Sequence, residues 1–311
     1  MSTPRSAKAA RLRHDYKAHI RAIQISERRV FVYCEGRVHD PYVYSELVRK
    51  AHELPFVIYR IEEIAGTGGK PALVKLFKYM RQKKLLVTTY KGKPYCCLFF
   101  LDKDVDDIKG VRCRSGHVFY TELYDLDAHI YRDSNLRRAV AIGLSVNVDI
   151  VPPVYEDPAR WIEAKAGQWK HWLTLCLFSS IFDVDCGCGY GRTSDINADI
   201  LGATDISMFE NFKARLQTKS GMAKEEFDRR FGSVQRKVQR LRSKGMLSLI
   251  FKGKWLESII RIELQSVFGG KRVARNIGSR ISGAATDSFS FNSGWAGQHI
   301  QRAGEITAKV R

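Results

Sequence analysis

The run Tyr95-Cys96-Cys97-Leu98-Phe99-Phe100-Leu101 ends abruptly in Asp102-Lys103-Asp104. Seven apolar or aromatic residues without a helical gap are too few for a membrane span and read as a strand buried on both faces. In a parallel α/β sheet, ligands gather beyond the carboxyl ends of the strands. Asp102 and Asp104 therefore fall where chemistry is expected. Residues two apart on an extended chain face the same side, so the two carboxylates can share one cation. The plainer reading is an acid that closes a strand and opens a loop. Against it, Asp106 and Asp107 come at once, and four carboxylates within six residues repel unless a metal or a basic partner neutralises them.

Working upstream, Val30 to Cys34 is the next strong strand, closed by Glu35-Gly36. Asp40-Pro41 supplies an N-cap and first-turn proline for a helix with Val43, Leu47 and Ala51 inward. Residues 56–61 form a further strand. Gly66-Thr67-Gly68-Gly69-Lys70 is a tight glycine loop opening a helix whose buried stripe is Leu73, Leu76, Phe77 and Met80. Downstream, Val118-Phe119-Tyr120 ends at Thr121-Glu122. The β-α-β-α-β order predicts a parallel sheet with right-handed crossovers. Three acidic stations then end three strands: Glu35; Asp102 with Asp104; and Glu122 near Asp125 and Asp127. Carboxylates converging on one sheet edge suit a hard cation, Mg²⁺ or Mn²⁺, which can activate a water and neutralise a scissile phosphate.

Composition points the same way. The chain has 311 residues, with 52 Lys or Arg against 33 Asp or Glu, a formal charge of +19. That excess predicts a polyanionic partner, nucleic acid before an anionic membrane surface. Residues 1–13 are basic without an apolar core, which excludes a secretory signal, and no stretch has membrane-spanning length. Seven cysteines read as reduced intracellular thiols, so the expected location is cytoplasmic. Cys186-Gly187-Cys188 lacks the paired spacing of a zinc site and reads as a structural loop.

After Pro152-Pro153 the pattern turns helical. Residues 158–178 carry Trp161, Trp169, Trp172, Leu173 and Leu177 at helical spacing; residues 223–244 place Phe227, Phe231, Val234, Val238 and Leu241 on one face; 256–267 is apolar nearly all round. Between 213 and 275 there are 17 basic residues and 5 acidic ones. Arg229, Arg230, Arg236, Lys237 and Arg240, with Lys103 and Lys254, are the candidate nucleic-acid contacts, a solvated face being the plainer reading of such a run. Lys70 is the candidate basic catalytic residue; its loop lacks Walker spacing, and a plain turn reads equally well. The expected organisation is an N-terminal basic helix over 1–27, starting near Lys8 with Leu12 and Arg13, then an α/β catalytic domain over 28–150. A basic helical domain over 151–275 and a Ser/Gly-rich tail or arm over 276–311 complete it.

A hydrophobic strand ending Glu35-Gly36, a β-α-β-α segment and a hydrophobic strand ending Asp102-Lys103-Asp104 resemble the TOPRIM fold of topoisomerases, primases and the overcoming-lysogenisation-defect nucleases. Gly68-Gly69-Lys70, Thr121-Glu122-Leu123-Tyr124-Asp125-Leu126-Asp127 and Gly253-Lys254-Trp255-Leu256 narrow the resemblance. They are similar to TOPRIM-like proteins that accompany ABC-type ATPases in bacterial anti-phage operons of the PARIS type. The resemblance implies a TOPRIM-type sheet and a Mg²⁺-dependent endonuclease with Glu35, Asp102 and Asp104 as catalytic and metal residues. Glu122 and Asp127 are the further metal candidates, although Asp127-Ala128 stands where related proteins often carry Glu-Asn. It also implies a toxic effector held inactive by an ATPase partner, with RNA, host transfer RNA first, favoured over DNA. A homodimer in the active state and no membrane complete the expected partners. Two rivals stay open. Leu101-Asp102-Lys103-Asp104-Val105 also matches the first motif of haloacid-dehalogenase-type phosphatases, where the first aspartate attacks phosphorus. A catalytically inactive nucleic-acid-binding or antitoxin-like protein is the other.

Overall fold

The computed structural model describes residues 16–36, 38–269, 273–292 and 294–311. Residues 1–15, with Lys8, Leu12 and Arg13 of the expected first helix, lie outside the described residues. The chain is a mixed α/β protein. In chain order the elements are α1 (Tyr16–Ile25), β1 (Val30–Cys34), α2 (Asp40–Ala51), β2 (Phe56–Arg60), α3 (Ile61–Ala65), α4 (Lys70–Gln82), β3 (Val87–Tyr90), β4 (Lys93–Leu101), α5 (Asp106–Lys109) and β5 (Val118–Tyr120). After them come the helices α6 (Leu126–Arg132), α7 (Leu136–Leu144), α8 (Pro158–Gln168), α9 (Lys170–Phe182), α10 (Ile206–Ser220), α11 (Lys224–Ser243), α12 (Gly253–Phe268), α13 (Ile277–Asp287) and α14 (Gly294–Thr307). They divide into two compact units. The first comprises residues up to Leu101, then 113–120 and 297–311; the second comprises 102–112 and 121–296. The boundary expected near residue 150 falls inside the second unit.

The first unit is built on β4. Its apolar run is buried from Tyr95 to Leu101, and alternate residues serve opposite faces. Cys97, Phe99 and Leu101 join Phe31, Tyr33, Phe77 and Met80 in one core. On the other face Phe100 stacks between Tyr44 of α2 and Phe119 of β5, at 4.3 and 4.8 Å between ring centroids. β1 pairs in parallel with β2 and with β4, so every backbone polar group of the buried strand can find a ladder partner.

Two features depart from the expected parallel sheet. β3 pairs antiparallel with the first half of β4 through a two-residue turn in which Lys91 and Gly92 both have positive φ, +46° and +78°. β5 then pairs in parallel with the second half of β4, so β3 and β5 take successive lengths of one edge. The residues beyond 296 also return to this unit. His299 Nε2 donates to the Tyr120 carbonyl at 3.0 Å, and the Arg302 guanidinium lies over the Phe119 ring while donating to the carbonyls of Ser115, Gly116 and Val118. The Ser/Gly-rich end is thus ordered as α13 and α14 over its described residues. Asp40 is not the N-cap of α2: His39 holds that position, and the Asp40 carboxylate instead accepts the Gly36 N–H at 2.8 Å.

The second unit is helical. α9 is buried continuously from Trp172 to Phe178 and packs on α10 and α11 through the pairs Trp172–Phe212 and Phe178–Phe231. The single helix expected over 158–178 is two, broken at Trp169, whose indole N–H donates to the Ile200 carbonyl at 2.8 Å. Half-buried acids tie distant segments together. Glu263 accepts from Tyr155 Oη at 3.1 Å and Trp161 Nε1 at 2.9 Å, and Glu163 accepts the N–H groups of Leu247 and Ser248.

Gly253, the first residue of α12, sits against α6: a Cβ there would lie 2.0 Å from Ala128 N and 2.5 Å from the Asp127 carbonyl carbon. Backbone cannot yield as a side chain can. We expect Gly253→Ala to cost about 1–3 kcal/mol in urea denaturation. Gly232→Ala, on α11 where only the tip of Arg236 is near, should be neutral or slightly stabilising.

Candidate active site

The strand registers set where the acids emerge. β1 and β4 are paired from Val30–Cys96 to Tyr33–Phe99; the same offset puts Glu35 level with Leu101, the last residue of β4. Leu101 pairs with Tyr120 at the end of β5. Three parallel strands thus finish on one edge, and the next residues in the chain are Glu35-Gly36, Asp102-Lys103-Asp104 and Thr121-Glu122. At the same edge Lys70, at the start of α4, places its ammonium 6.0 Å from the Tyr120 ring centroid. The glycine loop before it turns through left-handed Gly66 and a Gly69 at φ +87°.

The segment after β4 is held tightly. Asp102 Oδ1 accepts the Leu126 N–H at 3.0 Å, the Lys103 N–H donates to Thr121 Oγ1 at 2.8 Å, and the Asp104 N–H donates to the Tyr124 carbonyl at 2.7 Å. Asp104 has φ +50°, a left-handed conformation that aspartate tolerates better than most residues. Lys103, expected at the nucleic-acid surface, is instead 6% exposed, and its Nζ donates to the Glu122 carbonyl. Burial lowers its pKa to about 8, with Asp107 and Glu122 partly supporting the charge. Asp107 also pairs with Arg112 at 2.8 Å.

The turn from Thr121 to Asp133 is organised by a residue that sequence reading passed over. His129 is fully buried, and its Nε2 accepts the N–H groups of both Glu122 and Leu123 at 3.0 Å. Its proton therefore sits on Nδ1, 2.9 Å from Asp133 Oδ2, and the ring stacks on Trp295 at 4.2 Å. A histidine in the first apolar-rich turn after a strand carries no signal for this beyond the acid four residues on. Arg132 bridges Asp133 and the Glu122 carboxylate, meeting Glu122 Oε2 with two nitrogens at 3.1 Å. Glu122, a metal candidate by sequence, is thus engaged by an arginine. Asp125 caps α6, accepting from Ala128 N and Gly253 N, and burial beside Asp127 pushes its carboxyl pKa up.

Of the basic candidates on α11, Arg229, Arg236, Lys237 and Arg240 are exposed on the side opposite Phe227, Phe231, Val234 and Val238, and Lys254 is exposed on α12. Arg230 is occupied by Glu226 at 2.5 Å and by the Phe182 ring.

Among the described residues no three His, Cys, Asp or Glu side chains stand together as a ready-made metal cage. The acids just beyond the three strands are all hard oxygen donors. That chemistry fits Mg²⁺, which commonly takes one or two protein carboxylates and fills its shell with water and substrate phosphate. Compared with known proteins, the chain matches no family model and no curated protein.

Burial holds His129 neutral, below its ordinary 6.5, and Asp133 and Arg132 do not reverse this. As pH falls below about 6.5 the unfolded chain takes up a proton that the folded ring refuses, so stability drops. Burial would raise the Asp133 carboxyl, but the His129 and Arg132 hydrogen bonds outweigh it and hold it low; its contribution is likewise lost in acid. Urea denaturation between about pH 5 and 7.5 should show this fall in the wild type. His129→Gln should be less stable at neutral pH and show a shallower dependence.

Proposed function

We propose that this chain is a Mg²⁺-dependent TOPRIM-type endonuclease. The observation that carries the reading is the common finish of β1, β4 and β5 on one sheet edge, with Glu35, Asp102 and Asp104, and Glu122 as the next acids in the chain. Glu35, Asp102 and Asp104 would hold Mg²⁺, or Mn²⁺, which when bound supplies charge neutralisation at a scissile phosphate and a more acidic water. The chain's own residues do the rest. Glu35 accepts or returns the proton of the attacking hydroxyl. Lys70, beside Tyr120, offers a positive charge to phosphate oxygens at the same edge. Asp125 and His129 position the 121–133 turn without touching substrate.

The formal charge of +19 and the exposed Arg229, Arg236, Lys237 and Arg240 support a nucleic-acid substrate tracked along its backbone. RNA is the favoured substrate, and host transfer RNA the first to try. By the resemblance, the activity belongs to an anti-phage effector, dimeric when active and restrained by an ABC-type ATPase. No helix among the described residues is long and apolar enough to cross a membrane.

The test is to incubate the purified chain with total RNA and with plasmid DNA, in Mg²⁺ or in EDTA. We expect cleavage only with the metal, and a loss of at least about a hundredfold in Glu35→Gln and in Asp102→Asn. Cutting by either variant at the wild-type rate, or cutting that survives EDTA, would remove the proposed centre. Arg236→Ala/Lys237→Ala/Arg240→Ala should weaken substrate binding and flatten its salt dependence by about three counterions' worth of slope, while leaving melting behaviour unchanged.

A further inference from the structure

The second unit carries an open cleft of about 1100 Å³, lined by α7, the turn that follows it, Tyr155-Glu156, and Ser288 and Ser290 after α13. Its apolar lining is left in water. Ile142 is 53% exposed and Val148 38%, and both line the cleft; Ile150 and Val154, from the stretch that continues it, are 57% and 51% exposed. A lone exposed aliphatic side chain is ordinary. Four within residues 142–154, two of them lining a cleft, mark a contact surface.

The polar part of the lining offers donors rather than acceptors. Its two acids are already engaged, Asp133 by His129 and Arg132, and Glu156 by Arg137. The Oδ1 atoms of Asn135 and Asn147 accept the N–H groups of Arg138 and Asp149, which leaves both amide NH₂ groups without a partner among the described residues. The Arg138 guanidinium is exposed and has no acid beside it among the described residues. At the rim, Arg280 Nη2 donates to Ser145 Oγ at 3.2 Å, which adds another exposed positive charge. An occupant of this cleft must therefore bring acceptors and negative charge, together with apolar surface for Ile142 and Val148.

We infer that the cleft docks a short acidic segment of a partner protein. Its carboxylates and carbonyls accept from Arg138, Asn135 and Asn147, and its aliphatic side chains cover Ile142 and Val148. A nucleic acid is a poorer match, because bases bind on exposed aromatic faces. The one aromatic residue lining the cleft, Tyr155, is buried, and its hydroxyl is spent on Glu263. A second copy is poorer too, since a chain of +19 repels itself and is a weak source of acids. None of the residues that would touch the segment belongs to the proposed nuclease centre or to the basic face of α11, so the two readings can fail separately.

The experiment is selection of a random-peptide library on the full chain, followed by fluorescence-polarisation titration of the selected peptides. These should combine Asp or Glu with Leu, Ile or Val. They should bind at least about tenfold more weakly to Arg138→Glu and to Ile142→Asp, and about threefold more weakly to the milder Val148→Ser. All three positions are exposed, so urea denaturation should be unchanged. Peptide binding should survive Arg236→Ala/Lys237→Ala/Arg240→Ala, which separates the cleft from α11. Selection of no peptides, of peptides without acids, or of peptides that bind wild type and all three variants equally would overturn the site. Loss of RNA binding in Arg138→Glu with peptide binding intact would assign the cleft to nucleic acid instead. Self-association in sedimentation that Ile142→Asp abolishes would assign it to a second copy.

Discussion

Two fully buried strands lying side by side in parallel constrain nearly everything else about the sheet. β1 and β4 show no side chain to water over Val30–Cys34 and Tyr95–Leu101, so each must satisfy its backbone through its neighbours and can carry no charge along its length. Polar residues can begin only where the strands leave the core. Parallel pairing makes them leave on the same edge, and the register fixes the level at which they do so. The first positions after the buried strands, Glu35 and Asp102, are therefore the first at which the chain can place an acid, whatever chemistry it serves.

This is why the strands were legible in the sequence. Tyr95–Leu101 is continuous and apolar, and the abrupt acids mark its end. The helix stripes of α4 and α11 were legible for a similar reason, since one face of each is buried and the other is not. β3 was not. Val87-Thr88-Thr89-Tyr90 is short and half-buried, and its one clear mark is the Lys91-Gly92 turn after it. The Ser/Gly/Ala-rich end reads as a linker, yet its small residues serve close helix packing: a Cβ on Gly278 of α13 would come within 2.8 Å of the Glu257 carbonyl oxygen of α12.

Within the candidate site, residue types were readable but their assignments were not. Asp125 looks like another acid of the cluster; its partner Gly253 lies 128 residues away, beyond any local pattern. Lys103 looks like a surface lysine between two acids, and only the closure of Thr121 and Glu122 over it makes it a buried one.

The fastening of β5 has a consequence for how the chain is made. The strand is only three residues long, and the carbonyls of its end residues, Tyr120 and Val118, are taken by His299 and Arg302. His299 comes 179 residues after Tyr120. A ribosome adding roughly 5–20 residues per second therefore leaves this strand without its clasp for some ten to forty seconds, on the order set by that rate. A nascent chain that has not yet reached His299, or one terminated before it, therefore carries β5 without this clasp.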